Sequence, residues 1–122
     1  MTVLLVEDEI LVRRLMADIL EDAGFRVIEA ANAWAALNWL EGGEDVHVLF
    51  TDVHMPPGID GLELARRVHE RWPEVGLVIT SGLARPSVEE LGDHGTFLPK
   101  PCRPERVVHA IERAASGATP SA

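Results

Sequence analysis

Short apolar runs along this 122-residue chain repeatedly stop at polar residues. Val3-Leu4-Leu5-Val6 stops at Glu7-Asp8, and Val48-Leu49-Phe50-Thr51 stops at Asp52. Gly76-Leu77-Val78-Ile79-Thr80 leads into Ser81-Gly82, and Thr96-Phe97-Leu98-Pro99 into Lys100-Pro101. Continuous runs of this length suit strands covered on both faces, as in a parallel sheet. Arg26-Val27-Ile28-Glu29-Ala30 reads as a further strand, charged at its margin as edge strands are.

Helical periodicity fills the intervals. Leu11, Leu15, Met16, Ile19 and Ala23 form one stripe, which Gly24 ends. Asn32 is placed to cap a helix carrying Trp34, Leu37 and Leu40, closed by Gly42-Gly43. Beyond the loop Met55-Pro56-Pro57-Gly58, Asp60 and Glu63 have capping-box spacing. They precede a helix that buries Leu62, Leu64, Ala65 and Val68 and stops before Pro73. Ser87 and Glu90 could cap another helix, which Gly92 and Gly95 limit to a turn or two. Pro104 suits the first turn of a last helix through Val107, Val108, Ile111 and Ala114. Five alternations of strand and helix predict a three-layer α/β sandwich. The domain is expected over residues 1–116, with 117–122 as a small, polar, frayed tail.

Bulk properties narrow the function classes. The length is that of one domain. A formal net charge of -9 argues against binding nucleic acid through its phosphates. The single cysteine, Cys102, leaves no internal disulfide and fits a reducing compartment. No apolar stretch approaches the ~20 residues of a membrane span, and the N-terminus lacks a signal-peptide pattern. A cytoplasmic protein without a membrane contact is expected.

The candidate chemistry follows from topology. In an open parallel sheet, ligands bind beyond the carboxyl ends of the strands. Glu7, Asp8, Asp52, Ser81 and Lys100 would therefore meet at one edge. Glu7-Asp8 alone would be read as a helix cap, Lys100 as a solvated lysine and Ser81 as a turn former; their convergence changes the odds. Two neighbouring carboxylates, Asp8 and Asp52, repel unless a cation joins them. Mg²⁺ suits that role, being an oxygen-seeking ion that keeps several waters, one of which Glu7 could hold. Asp52 can act as a carboxylate nucleophile toward phosphorus. Lys100 and Ser81 would neutralise and bind phosphate oxygens.

These residues bring the chain close to a known family. Val6-Glu7-Asp8-Glu9, Asp52-Val53-His54-Met55-Pro56, Asp60-Gly61, Ser81-Gly82 and Phe97-Leu98-Pro99-Lys100-Pro101 resemble, in order, the motifs of response-regulator receiver domains. The resemblance covers nearly the whole chain. It implies a flavodoxin-like (βα)5 fold whose parallel sheet has the order 2-1-3-4-5. It implies that Asp52 accepts a phosphoryl group from a sensor histidine kinase or a histidine phosphotransfer protein. It implies Mg²⁺ held by Asp8, Asp52 and the backbone carbonyl of His54, with Glu7 behind them. Ser81 and Phe97 would move together as the switch, and a cis peptide would join Lys100 to Pro101. Catalysis would be limited to the protein's own phosphorylation and dephosphorylation.

Three features depart from the usual pattern. The Pro56-Pro57-Gly58 loop is one residue longer than the usual loop, the segment from Leu83 to Gly95 is short for a fourth helix, and Cys102 stands where an aromatic is common. No effector domain follows, so a single-domain regulator acting on an unknown downstream protein is expected, as a monomer or weak homodimer. Two rivals come from other classes. A Mg²⁺-dependent phosphohydrolase would need a second acid beside the nucleophile, where Val53 and His54 stand instead. A phosphorylation-independent binding module would not need the full acidic set. The five histidines have no metal-ligand spacing. Trp34, Trp39 and Trp72 read as packing residues on helices, and Cys102 as a small buried or semi-buried thiol.

Overall fold

In a computed structural model, residues 1–56, 58–82 and 95–117 are described. They form a five-stranded parallel sheet with four helices. The strands are β1 (Thr2–Val6), β2 (Arg26–Ala30), β3 (Val48–Asp52), β4 (Gly76–Ser81) and β5 (Gly95–Pro99). The helices are α1 (Ile10–Asp22), α2 (Ala33–Glu41), α3 (Gly61–Arg71) and α4 (Pro104–Ala115). The order β2-β1-β3-β4-β5 is the expected one. The short helix expected around Ser87 and Glu90 lies outside the described residues.

Side-chain alternation along the strands divides the core in two. Leu4 and Val6 of β1, Leu49 of β3, and Leu77 and Ile79 of β4 pack toward α2 and α3. Val3, Leu5, Val48, Phe50, Val78 and Leu98 pack on the other face, toward α1 and α4. Every residue of β1 and β3 is buried, as the continuous apolar runs require.

Helix starts follow the cap chemistry. Asn32 accepts the Ala35 amide at 2.8 Å, and Asp60 accepts the Glu63 amide at 2.9 Å. Pro104 opens α4. The Glu63 carboxylate turns outward to Arg66 and Arg67.

The stripe expected on α1 needs correcting. Leu11 is 81% exposed and Leu15 63%, and Ala23 is exposed too. The helix buries Ala17 and Leu20 instead, with Met16 packed beside them. Apolar residues occupy both sides of α1, so its periodicity leaves the phase open; the sheet selects the 13/16/17/20 side. Trp34 and Trp39 are also more open than packing residues, at 47% and 43% exposed.

Candidate functional site

The same alternation that builds the second core face selects the site's side chains. Glu7 continues the parity of Val3 and Leu5, Asp52 that of Phe50, Thr80 that of Val78, and Lys100 that of Leu98. In register, Val6 pairs with Thr51 and Asp52 with Thr80. Four neighbouring strands therefore send polar groups to one corner, above the α1/α4 face.

Lys100 is central to that corner. Its ammonium Nζ lies 2.8 Å from Asp52 Oδ2 and 3.4 Å from Glu7 Oε1. Its backbone N–H donates to the Ser81 carbonyl at 3.0 Å, and a cis peptide joins it to Pro101. Glu7 and Asp52 are 5% and 9% exposed, so the ammonium neutralises carboxylates with little access to water. Burial pulls the Lys100 pKa down, but the hydrogen bond and charge of Asp52, with help from Glu7, outweigh it and raise it overall.

Glu7 is pushed up to about 7, first by burial and also by its hydrogen bond to Asp8 and the charge of Asp52. The Glu9 amide, donated to Glu7 Oε2 at 3.0 Å, and the Lys100 charge oppose the rise. Asp8 is exposed at the rim beside it. The His54 amide donates to Asp52 Oδ1 at 3.3 Å. Ser81 is buried at the end of β4, and Phe97 packs half-buried against the α2/α3 core.

Three carboxylates against one ammonium leave a surplus of negative charge and a set of oxygen donors, which fits a small, hard divalent cation. Among the described residues, no group of three or more His, Cys, Asp and Glu side chains is arranged to enclose a metal. Mg²⁺ commonly takes one or two carboxylates and completes its shell with other oxygens.

Below the corner a cleft of about 520 Å³ opens between α1 and the Lys100-Pro101-Cys102 turn, with Met16, Phe50 and Thr80 in its wall. Cys102 Sγ lies 3.7 Å from Thr80 Oγ1 and 3.3 Å from the Pro99 carbonyl.

Sequence reasoning missed two supports. Arg13 donates to the Glu7 carbonyl at 2.9 Å and pairs with Glu29 at 3.1 Å, holding the turn after β1. Its only signal was a charge on the face of α1 that turned out to be inward. Thr80 was signalled more openly, as a hydroxyl inside an apolar run.

The loop leaving Asp52 is tightly closed. The Val53 amide donates to the Thr80 carbonyl at 3.0 Å, and the Gly61 amide to the Val53 carbonyl at 2.8 Å. Val53 and Met55 are buried, whereas Pro56 and Gly58 are exposed.

Comparison with known proteins agrees with this geometry. Residues 3–112 match the response regulator receiver domain. The response regulator receiver protein CpdR of Brucella abortus is 33% identical over 114 residues, which cover 91% of this chain and 93% of that one. Protein-glutamate methylesterase/protein-glutamine glutaminase 3 of Hahella chejuensis is 40% identical over 82 residues, or 66% of this chain; the match spans only 23% of that longer protein. The crystal structure of a response regulator receiver protein from Sinorhizobium medicae superposes with a TM-score of 0.88 at 26% identity, covering 94% of each chain.

Proposed function

This chain belongs to the response-regulator receiver domain family, and on that premise we propose that Asp52 is the residue that takes up the phosphoryl group. Receiver domains of two-component systems are signalling modules, and a phosphoryl-accepting role comes with the family. The observation that carries the assignment is the 2.8 Å contact between the Lys100 ammonium and Asp52, at the meeting point of four strand ends.

In the proposed reaction an Asp52 carboxylate oxygen forms a bond to phosphorus while the bond from phosphorus to a donor histidine nitrogen breaks. The electron pair leaves with the imidazole. Phosphoryl transfer asks chiefly for positioning and charge neutralisation. Lys100 follows the charge from the carboxylate to a phosphate oxygen, and Ser81 donates its hydroxyl to another. Asp8, Asp52 and the backbone carbonyl of His54 would hold Mg²⁺, with Glu7 behind them, and the ion would supply positive charge against the phosphoryl oxygens.

Phosphorylation adds about 1.5 to 2 negative charges. To signal, that charge must bias a two-state element. Ser81 lies on β4 and Phe97 on the neighbouring β5, with Ile79 paired to Phe97 and Ser81 to Pro99; that adjacency supports a switch in which a shift of Ser81 toward the phosphoryl group would move Phe97. The receiver domain takes in residues 1–116, works in the cytoplasm, and catalyses only its own phosphorylation and dephosphorylation. Its donors are a sensor histidine kinase or a histidine phosphotransfer protein.

Intact mass after adding Mg²⁺ and a small acyl-phosphate donor tests this reading. Wild type should gain one labile phosphoryl group and Asp52→Asn none. Equal adducts on both proteins, or none on a folded wild type, would overturn it.

A further inference from the structure

Phosphoryl chemistry uses the polar corner and leaves the cleft beneath it without a role. At about 520 Å³ that cleft has the volume of a small-molecule site. Most of its lining is apolar: Val12 and Met16 of α1, Phe50 of β3, and the Pro101-Cys102 turn. An apolar cavity of about 150 Å³ already takes up benzene, so there is room here for an aromatic ring.

Thr80 interrupts the apolar lining. It is 6% exposed and borders the cleft from the end of β4. Among the described residues its hydroxyl has one partner, the Cys102 thiol at 3.7 Å. Sulfur is a weak hydrogen-bonding group, so this nearly buried hydroxyl keeps most of its bonding capacity for whatever enters the cleft. A hydroxyl both donates and accepts, and therefore suits an O–H or N–H group on a ligand.

Charge narrows the ligand further. At the cleft's polar end, Asp52 and Glu7 already hold Lys100 at 2.8 and 3.4 Å. Two carboxylates against one ammonium repel an anionic head. A cationic head would have to displace Lys100 or lie unpaired against apolar walls. A neutral ligand avoids both costs.

We propose that the cleft between α1 and the Lys100-Pro101-Cys102 turn binds a small neutral aromatic molecule of the phenol class, its polar group on Thr80 Oγ1 and its ring against the apolar walls. The site stands apart from phosphoryl transfer at Asp52, because Val12, Met16, Thr80 and Cys102 take no part in that reaction.

Phenol titrated into the full chain and followed by NMR of backbone amides and methionine methyls tests the site. Toluene, benzoate and benzylammonium serve as probes of similar size. Phenol should shift the signals of Met16, Thr80 and Cys102 saturably, with a dissociation constant on the order of 1 mM. Benzoate and benzylammonium should bind at least about tenfold more weakly. Thr80→Val keeps the side chain's shape and removes the hydroxyl. It should weaken phenol about fivefold, the worth of one hydrogen bond, and leave toluene unchanged. Cys102→Phe, checked as folded by a thermal melt, sends a ring into the cleft from its own wall and should abolish the phenol shifts. No saturable shift in wild type, shifts scattered away from the cleft, or a charged probe binding as tightly as phenol overturns the proposal. Equal phenol affinity in wild type and Thr80→Val overturns it too, and that comparison stands even if Cys102→Phe does not fold.

Discussion

Gly61→Ala sets two physical effects against each other at the first residue of α3. Alanine favours a helix over glycine by up to about 1 kcal/mol. Space opposes it. A Cβ at position 61 would stand 2.0 Å from the Asp52 carbonyl oxygen, 2.8 Å from its carbon and 3.0 Å from Val53 Cα. All three neighbours are backbone, so no side chain can swing away. The start of α3 must retreat from the end of β3 by about 1 Å, and forced overpacking of this kind typically costs about 1–3 kcal/mol. Retreat also strains the 2.8 Å hydrogen bond from the Gly61 amide to Val53, worth about 1 kcal/mol net. The clash outweighs the helix preference, leaving a net loss of about 1–3 kcal/mol. For 122 residues the unfolding entropy near the midpoint is about 0.26 kcal/mol/K, so the melting temperature should fall by about 4–12 °C. Urea titration and thermal melts measure the loss, and acyl-phosphate labelling should show slower phosphorylation because Asp52 itself is displaced. A variant as stable as wild type would refute the reasoning, since it would mean that the contact between α3 and β3 is slack.

Two further perturbations probe the electrostatics. Lys100→Ala should lower phosphorylation by about a hundredfold, the scale seen when one preorganised donor is removed. Mg²⁺ should bind at least as tightly, because the ammonium no longer holds Asp52; calorimetry that found metal binding lost would show the lysine's role misassigned. Glu7 has a folded pKa of about 7 against an ordinary 4.5. Between those values the folded chain keeps a proton that the unfolded chain has released. The resulting stabilisation is full below pH 4.5 and disappears as pH rises through 7. Without Mg²⁺, wild type should therefore lose on the order of 3 kcal/mol more than Glu7→Gln between pH 4.5 and 8. Urea midpoints across that range would contradict this if the difference between the two proteins stayed flat.

Much of this architecture could be read from the chain because strands covered on both faces leave a continuous apolar signature. β1, β3 and β4 announce themselves and also mark their own ends, where Glu7, Asp52 and Ser81 break the pattern. Sheet topology then does the rest, since polar residues at the same ends of parallel strands must meet. Helix phase was less legible. α1 carries leucines on the side facing away from the sheet, and nothing local distinguishes Leu15 from Ala17 as the buried residue. Arg13 was missed for a related reason, because its contact to the Glu7 backbone carbonyl leaves no pattern of residue types. Gly58 was visible as a turn former, and its φ of +97° is what asks for glycine there.

Charge balance links the corner's stability to its chemistry. Glu7 and Asp52 share one ammonium at 3.4 and 2.8 Å, and Asp8 adds a third, exposed carboxylate at the rim. One cation beside two buried carboxylates leaves a surplus of negative charge, and burial, with the Asp8 hydrogen bond and the Asp52 charge, raises Glu7 until it is partly protonated near neutral pH. A site arranged for stability alone would replace one of these carboxylates by a neutral residue, because buried ion pairs of this kind are often no better than an apolar substitute. The retained surplus makes sense if the corner is built for a state with more positive charge or with Lys100 drawn elsewhere. A divalent ion supplies the first and a phosphoryl group on Asp52 the second. On this argument the instability of Glu7 and the reactivity of Asp52 have one origin. Neutralising Glu7 should then make the resting domain more stable at neutral pH while weakening its hold on Mg²⁺.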